Sequence, residues 1–146
     1  MLVVDTNILV YAADADSPFH AASRDWLDRQ RGRPDAWYTT WSILYEFLRV
    51  TTHPRVMRRP WSARQAWAFV SALLASPGLG VLVPTLRHAD VAGQILAELP
   101  HLAGNLLHDT HTASLMREHG IRRICTRDTD FHRFPFLDVL DPVSSA

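Results

Sequence analysis

The chain alternates short apolar runs with longer stretches in which apolar residues recur every three or four positions. Met1-Leu2-Val3-Val4 reads as a buried strand, broken by Asp5-Thr6-Asn7, and a short helix follows from about Ile8. Ser17-Pro18 reads as the cap and first residue of a helix over 19–31, with Gly32 as its stop. A strand is expected over 36–39, and Thr40 then caps a helix over 41–51. Ser62 opens a strongly amphipathic helix that runs to Ala75 and ends at Pro77-Gly78. Strands over 81–83, 123–126 and 137–140 remain, with helices over 86–99 and 106–119, the latter stopped by Gly120. The strands are continuous runs of Val, Leu and Ile, and they alternate with helices. That pattern belongs to a parallel sheet covered on both faces. The expected fold is α/β, three layers α/β/α around a central parallel sheet, in a single domain over 1–146.

Composition narrows this picture. With 146 residues and 47% hydrophobic positions the chain suits one globular domain with a real core. No apolar run approaches the length of a membrane span, and the opening run lacks the basic flank of a signal peptide, so a cytoplasmic location is expected. Cys125 is the single cysteine, which excludes an intrachain disulfide and a cysteine metal cluster and leaves a buried strand thiol. The net charge is zero, so there is no global attraction for polyanions. All 15 basic residues are arginine. Mechanisms that need a lysine are excluded, and the better bidentate phosphate ligand is what remains.

The acids carry the chemical signal. Asp5 and Asp128 each follow a strand directly, and in open parallel sheets ligands bind just beyond the carboxyl ends of the strands. Each also has a structural reading. Asp5 is a good helix cap, Asp128 suits an Asx-turn, and Asp130 suits the cap of a short turn before Phe131. Glu46 lies in mid-helix at the edge of an apolar face formed with Ile43, Phe47 and Val50. Asp109 aligns with Leu106, Ala113 and Met116, where a charge is costly unless compensated, although a first-turn acid also suits the helix dipole. A parallel sheet can bring these acids to one end. Crowded carboxylates raise one another's pKa, and no lysine is present to neutralise them. A hard divalent cation, Mg²⁺ or Mn²⁺, is the fitting counter-charge. Such a site activates water for in-line attack on a phosphodiester, with Thr6, Asn7 and Thr126 orienting the carboxylates.

Other residues are less specific. Arg127, His132 and Arg133 suit the phosphates of a substrate or simply a solvated turn. The basic loop over 53–59, beside Trp61, suits either a funnel for single-stranded nucleic acid or a protein-binding surface. Trp26, Trp37 and Trp67 fall on apolar faces and read as core. His108 and His111 share a helix face that excludes Asp109, which does not make the three or four convergent ligands zinc needs. His88, His101 and His119 read as exposed helix-end or loop residues without a role.

At this point the motifs are similar to those of a known family. Val3-Val4-Asp5-Thr6-Asn7-Ile8-Leu9 resembles the opening motif of PIN-domain ribonucleases. Tyr45-Glu46-Phe47 resembles their helix-borne glutamate motif, and Leu107-His108-Asp109-Thr110-His111-Thr112-Ala113 their third acidic motif, with Thr110 where alanine is more usual. Thr126-Arg127-Asp128-Thr129-Asp130-Phe131 with Arg133-Phe134-Pro135 resembles the closing motif of the VapC toxins of toxin–antitoxin pairs. The resemblance spans essentially the whole chain. It implies a PIN-like fold and a Mg²⁺- or Mn²⁺-dependent endoribonuclease leaving a 5′-phosphate and a 3′-hydroxyl. It further implies a cognate VapB-like antitoxin docked over the N-terminal helices, and a homodimer. Residue by residue it implies Asp5, Glu46, Asp109 and Asp128 as the catalytic, metal-binding acids, with Asp130 as a fifth. Two other classes stand beside it. A phosphatase of another α/β family would place its acid likewise, but it needs a lysine and a second Asp at position 7, which is Asn. A non-catalytic PIN-like module that binds RNA or a partner would show eroded acids, and none is missing.

Overall fold

The computed structural model of the chain describes residues 1–144, so the expected domain boundary at Ala146 lies outside them. The elements run β1 (Leu2–Val4), α1 (Thr6–Ala13), α2 (His20–Arg31), β2 (Trp37–Thr40), α3 (Trp41–Thr51), α4 (Ala63–Leu74), β3 (Leu79–Leu82), α5 (His88–Glu98), α6 (Leu106–Glu118), β4 (Arg123–Cys125), a 3-10 helix (Thr129–Arg133) and β5 (Asp138–Leu140). The sheet has five strands in the order β3-β2-β1-β4-β5, and every pair is parallel. Central β1 pairs Val3 with Tyr38 on one side and with Ile124 on the other. Val3, Val4, Trp37, Ile124 and Cys125 have no exposed surface, which explains why the strands lack a polar alternation.

Topology places the site. The chain moves outward from β1 to β2 and β3, then crosses back to β4 on the other side of β1. The carboxyl ends of β1 and β4 therefore flank the point where the strand order reverses, where a crevice opens in such sheets. Asp5 follows β1, and Asp128 comes three residues after the end of β4. α1 packs on α2 and α3, α3 packs on α4, and α5 packs on α6. Right-handed crossovers running in opposite directions put α1 to α4 on one face and α5 and α6 on the other. The result is a three-layer α/β/α fold.

Several boundaries differ from expectation, with identifiable causes. α1 begins at Thr6 because Asp5 caps it, with φ −88 and ψ 164 and its side chain accepting from Thr6 N–H. Capping and site placement are thus both true of Asp5. α2 begins at His20: Ser17 Oγ accepts from Phe19 N–H at 3.1 Å and closes a turn ahead of the helix. β3 begins at Leu79, earlier than expected, because it pairs in register with Trp37, Tyr38, Thr39 and Thr40. A Cβ at Gly80 would lie 3.0 Å from the Tyr38 ring; the strand needs glycine for close packing. Gly120 ends α6 at φ +71, in the left-handed region that glycine tolerates.

The tryptophans divide. Trp37 is fully buried, Trp26 is half-buried against the core, and Trp67 is exposed at 47%, contrary to its expected core position. α4 buries only Ala66, Val70 and Leu73, and Trp67 lies off that stripe. Trp61 packs with Phe47 and Phe69 in an aromatic cluster.

Candidate active site

Asp5 is held by a closed set of hydrogen bonds. Thr126 Oγ1 donates to Asp5 Oδ2 at 2.8 Å, and Asn7 Nδ2 donates to the same oxygen at 3.1 Å. Thr6 N–H donates to Asp5 Oδ1 at 2.8 Å. Thr126 Oγ1 also accepts from Asn7 Nδ2 and from Asp128 N–H, both at 2.9 Å. Asn7 Oδ1 accepts from Arg127 N–H at 3.0 Å. One threonine thus ties the ends of β1 and β4 together. Asn7 and Thr126 orient the carboxylate as expected. Thr6 does so through its backbone, since its hydroxyl donates to Ile43 O at 3.4 Å. Burial pushes the Asp5 carboxyl above the ordinary range, the bonds from Thr126, Thr6 and Asn7 pull it back, and Asp128 pushes it up again.

In front of Asp5 lies a cleft of ≈830 Å³, whose wall includes Asp5, Glu46, Asp109, Asp128 and Asp130. Asp109, Asp128 and Asp130 form its tightest group, with one carboxylate oxygen of each within 4.8 Å of the others. Asp128 forms the Asx-turn expected of it: Oδ1 accepts from Asp130 N–H at 2.9 Å and starts the 3-10 helix. Asp109 comes from the first turn of α6. Burial, then Asp128, Asp5 and Asp130, push its carboxyl up to about 7.

Glu46 faces the same cleft, but it stands outside the tight group and is paired. Arg49 Nη2 donates to its Oε1 at 2.6 Å and Nε to its Oε2 at 3.1 Å. That bond, with His108 nearby, holds Glu46 below the ordinary range despite partial burial. The absence of lysine therefore does not leave every acid uncompensated: an arginine neutralises Glu46. Among the expected substrate contacts, Arg127 bonds Asp141 and lies over the Phe19 ring at 4.1 Å. Its side chain is anchored within the fold. Arg133 is exposed, 3.8 Å from Asp130, and His132 is exposed beside it.

The profile of the PIN domain family matches residues 2–137. Ribonuclease VapC37 of Mycobacterium tuberculosis is 35% identical over 134 residues, covering 92% of this chain and 92% of that protein. VapC ribonuclease Mb2897 of Mycobacterium bovis is 37% identical over 134 residues, covering 92% of this chain and 90% of that protein. The chain is a PIN domain of the VapC ribonuclease family. Solved structures agree on the fold. Mycobacterium tuberculosis VapC20, a Sarcin-Ricin loop cleaving toxin, aligns with TM-score 0.68 over 97% of this chain and 100% of that chain, at 20% identity. VapBC2 from Rickettsia felis, bound to a DNA fragment from their promoter, aligns with TM-score 0.69 over 95% of this chain and 96% of that chain, at 18% identity.

The donor set of this PIN domain fits a divalent cation. Its crowded groups are all carboxylates, hard ligands suited to Mg²⁺ or Mn²⁺, and burial together with the neighbouring acids pushes the Asp109 carboxyl up to about 7, so a counter-charge is needed there. Four features go beyond the reading of the sequence. Arg49 lines the cleft, and its spacing of three from Glu46 was the available signal. His108 and His111 line it too, with Ser42 Oγ lying 3.3 Å from His111 Nδ1. His88, expected to be exposed, donates from Nδ1 to buried Glu118 Oε1 at 2.9 Å, and Thr85 Oγ1 donates to Oε2 at 3.0 Å. Nothing local joins residues 30 apart. His119, also read as idle, has Nε2 2.8 Å from Val83 O.

Proposed function

We propose that this PIN domain, over residues 1–146, is a Mg²⁺-dependent endoribonuclease, with Mn²⁺ as a substitute, acting as the toxin of a toxin–antitoxin pair. The observation that carries the reading is the crowded trio Asp109, Asp128 and Asp130 at the switch point of the sheet, which among the described residues only the exposed Arg133 approaches, 3.8 Å from Asp130. Asp109, Asp128 and Asp130 hold the cation, Asp5 fixes the back of the site, and Glu46 closes its side. When bound, the cation supplies Lewis-acid polarisation of the phosphoryl group and acidifies water. Thr126, Asn7 and the Thr6 N–H keep the Asp5 carboxylate from rotating as charge develops. Asp109 would have to give up its proton to hold the cation, so affinity should rise with pH through about 7. Arg133 and His132 border the closing turn and face the RNA backbone.

A cognate VapB-like antitoxin, a homodimeric state and a cytoplasmic location complete the proposal. They rest on the VapC relatives and on structures such as VapBC2. No helix among the described residues is long and apolar enough to cross a membrane. The test is cleavage of structured RNAs by antitoxin-free protein, with Mg²⁺ and with EDTA. Cleavage should require the cation, leave a 5′-phosphate and vanish in Asp109→Asn. Cleavage that EDTA does not affect would contradict the metal site.

A further inference from the structure

Arg49 is the one arginine lining the cleft among the described residues. Its guanidinium is charged at every physiological pH and presents a planar fork that suits a phosphate as well as a carboxylate. Other arginines of this region have partners that hold them elsewhere: Arg59 forms a two-pronged pair with Asp16, and Arg127 bonds Asp141. His111 also lines the cleft, but its ring is half-buried, with Ser42 Oγ 3.3 Å from Nδ1 and the His88 ring packed edge-on against it. Among the described residues Arg49 is therefore the one arginine in the cleft wall itself; Arg133, 3.8 Å from Asp130, stands outside that wall.

Its only ion-pair partner among the described residues is Glu46, three residues back on the exposed side of α3. The two side chains are 60% and 45% exposed. An ion pair so open to solvent is worth little and opens readily. The pair also explains why Glu46 stands apart from Asp109, Asp128 and Asp130. A cation drawing Glu46 toward the trio would release the Arg49 fork at the mouth of the cleft, where an entering polynucleotide has a phosphate to offer.

We propose that Arg49 is the RNA-phosphate-positioning residue of this site, latched by Glu46 in the resting cleft and handed to the substrate backbone when the latch opens. The inference rests on the ribonuclease reading above. It assigns Arg49 to binding and register, and it assigns Glu46 the second task of keeping a sticky cation covered.

The test is binding of a fluorescently labelled single-stranded oligouridylate, measured by anisotropy in EDTA so that nothing is cut, beside cleavage of total RNA with Mn²⁺. Arg49→Ala should weaken binding about tenfold and lower the salt slope by about one. Arg49→Lys should recover part of the affinity, and Arg24→Ala, which removes an equal charge on α2, should bind as the wild type. Glu46→Gln should tighten binding, and most of that gain should disappear in Glu46→Gln/Arg49→Ala. Wild-type protein that binds and cuts, with Arg49→Ala binding equally well, would overturn the role of Arg49 alone. An equal gain from Glu46→Gln in both backgrounds would overturn the latch. Wild-type protein that neither binds nor cuts RNA would overturn this inference together with the ribonuclease reading.

Discussion

The two ends of α6 treat an acid in opposite ways. Glu118, near the carboxyl end, is buried, yet His88 and Thr85 each donate to one of its oxygens. Burial pushes its carboxyl up, but those bonds outweigh it and leave the group below its ordinary value. Asp109, in the first turn of the same helix, has no such donors among the described residues: burial, and then Asp128, Asp5 and Asp130, push its carboxyl up to about 7. The fold is able to satisfy a buried carboxylate with hydrogen-bond donors, and at Glu118 it does so. At Asp109 it assembles further acids instead. An arrangement that destabilises the metal-free protein marks the end of the helix that works on a ligand.

The sharpest way to break the comparison is to neutralise each acid. Asp109→Asn should lower RNA cleavage by about a hundredfold or more, while the protein becomes more stable in EDTA. The sign follows from the raised pKa. Between 3.8 and about 7 the native metal-free state holds a proton that the unfolded chain has lost, so stability falls as pH rises across that window. Urea denaturation from pH 4 to 8 should show this slope in the wild type and a flatter one in the variant. Glu118→Ala should do the reverse. It leaves His88 and Thr85 without their acceptor and should lower stability by about 2 kcal/mol, while folded molecules retain cleavage.

Asp5 offers an intermediate case, a buried acid at the working end that is also fully bonded. Thr126→Val removes the donor to Asp5 Oδ2 and the acceptor of Asp128 N–H. It should lower kcat about tenfold with KM little changed, because it disturbs alignment and not RNA contact. Steady-state kinetics on one defined RNA reads the split. The smallest effect is expected at His88→Ala. Glu118 has a depressed carboxyl, so its contribution is present above about 4.5 and lost as pH falls through the lower folded value. The variant should be slightly less stable at neutral pH and should lose less on acidification, as read by thermal unfolding across the acid range.

How much of this the sequence revealed depends on the distance over which each feature is encoded. The helices and most strands were readable, because apolar periodicity and caps such as Thr40 and Ser62 are local. The start of β3 was not, since Leu79-Gly80 joins the strand only by pairing with Trp37 and Tyr38. That Asp5, Glu46, Asp109, Asp128 and Asp130 come to one cleft was legible from strand ends and helix faces. Their grouping was not, because the sequence gives no sign that Asp109, Asp128 and Asp130 close up while Arg49 holds Glu46 aside. The pairing of His88 with Glu118 depends on how α5 docks on α6. Trp67 misled for a different reason: a large apolar residue beside an amphipathic stripe need not be part of it.

The central claim is that the Asp109 end of α6 is built to hold a divalent cation and the Glu118 end is not. Electron paramagnetic resonance of free Mn²⁺, titrated into chelator-treated protein, tests it without reference to any RNA. Wild type and Glu118→Gln should bind Mn²⁺ alike, and Asp109→Asn should bind it at least about tenfold more weakly. Equal binding by Asp109→Asn, or no binding by the wild type, would contradict the account.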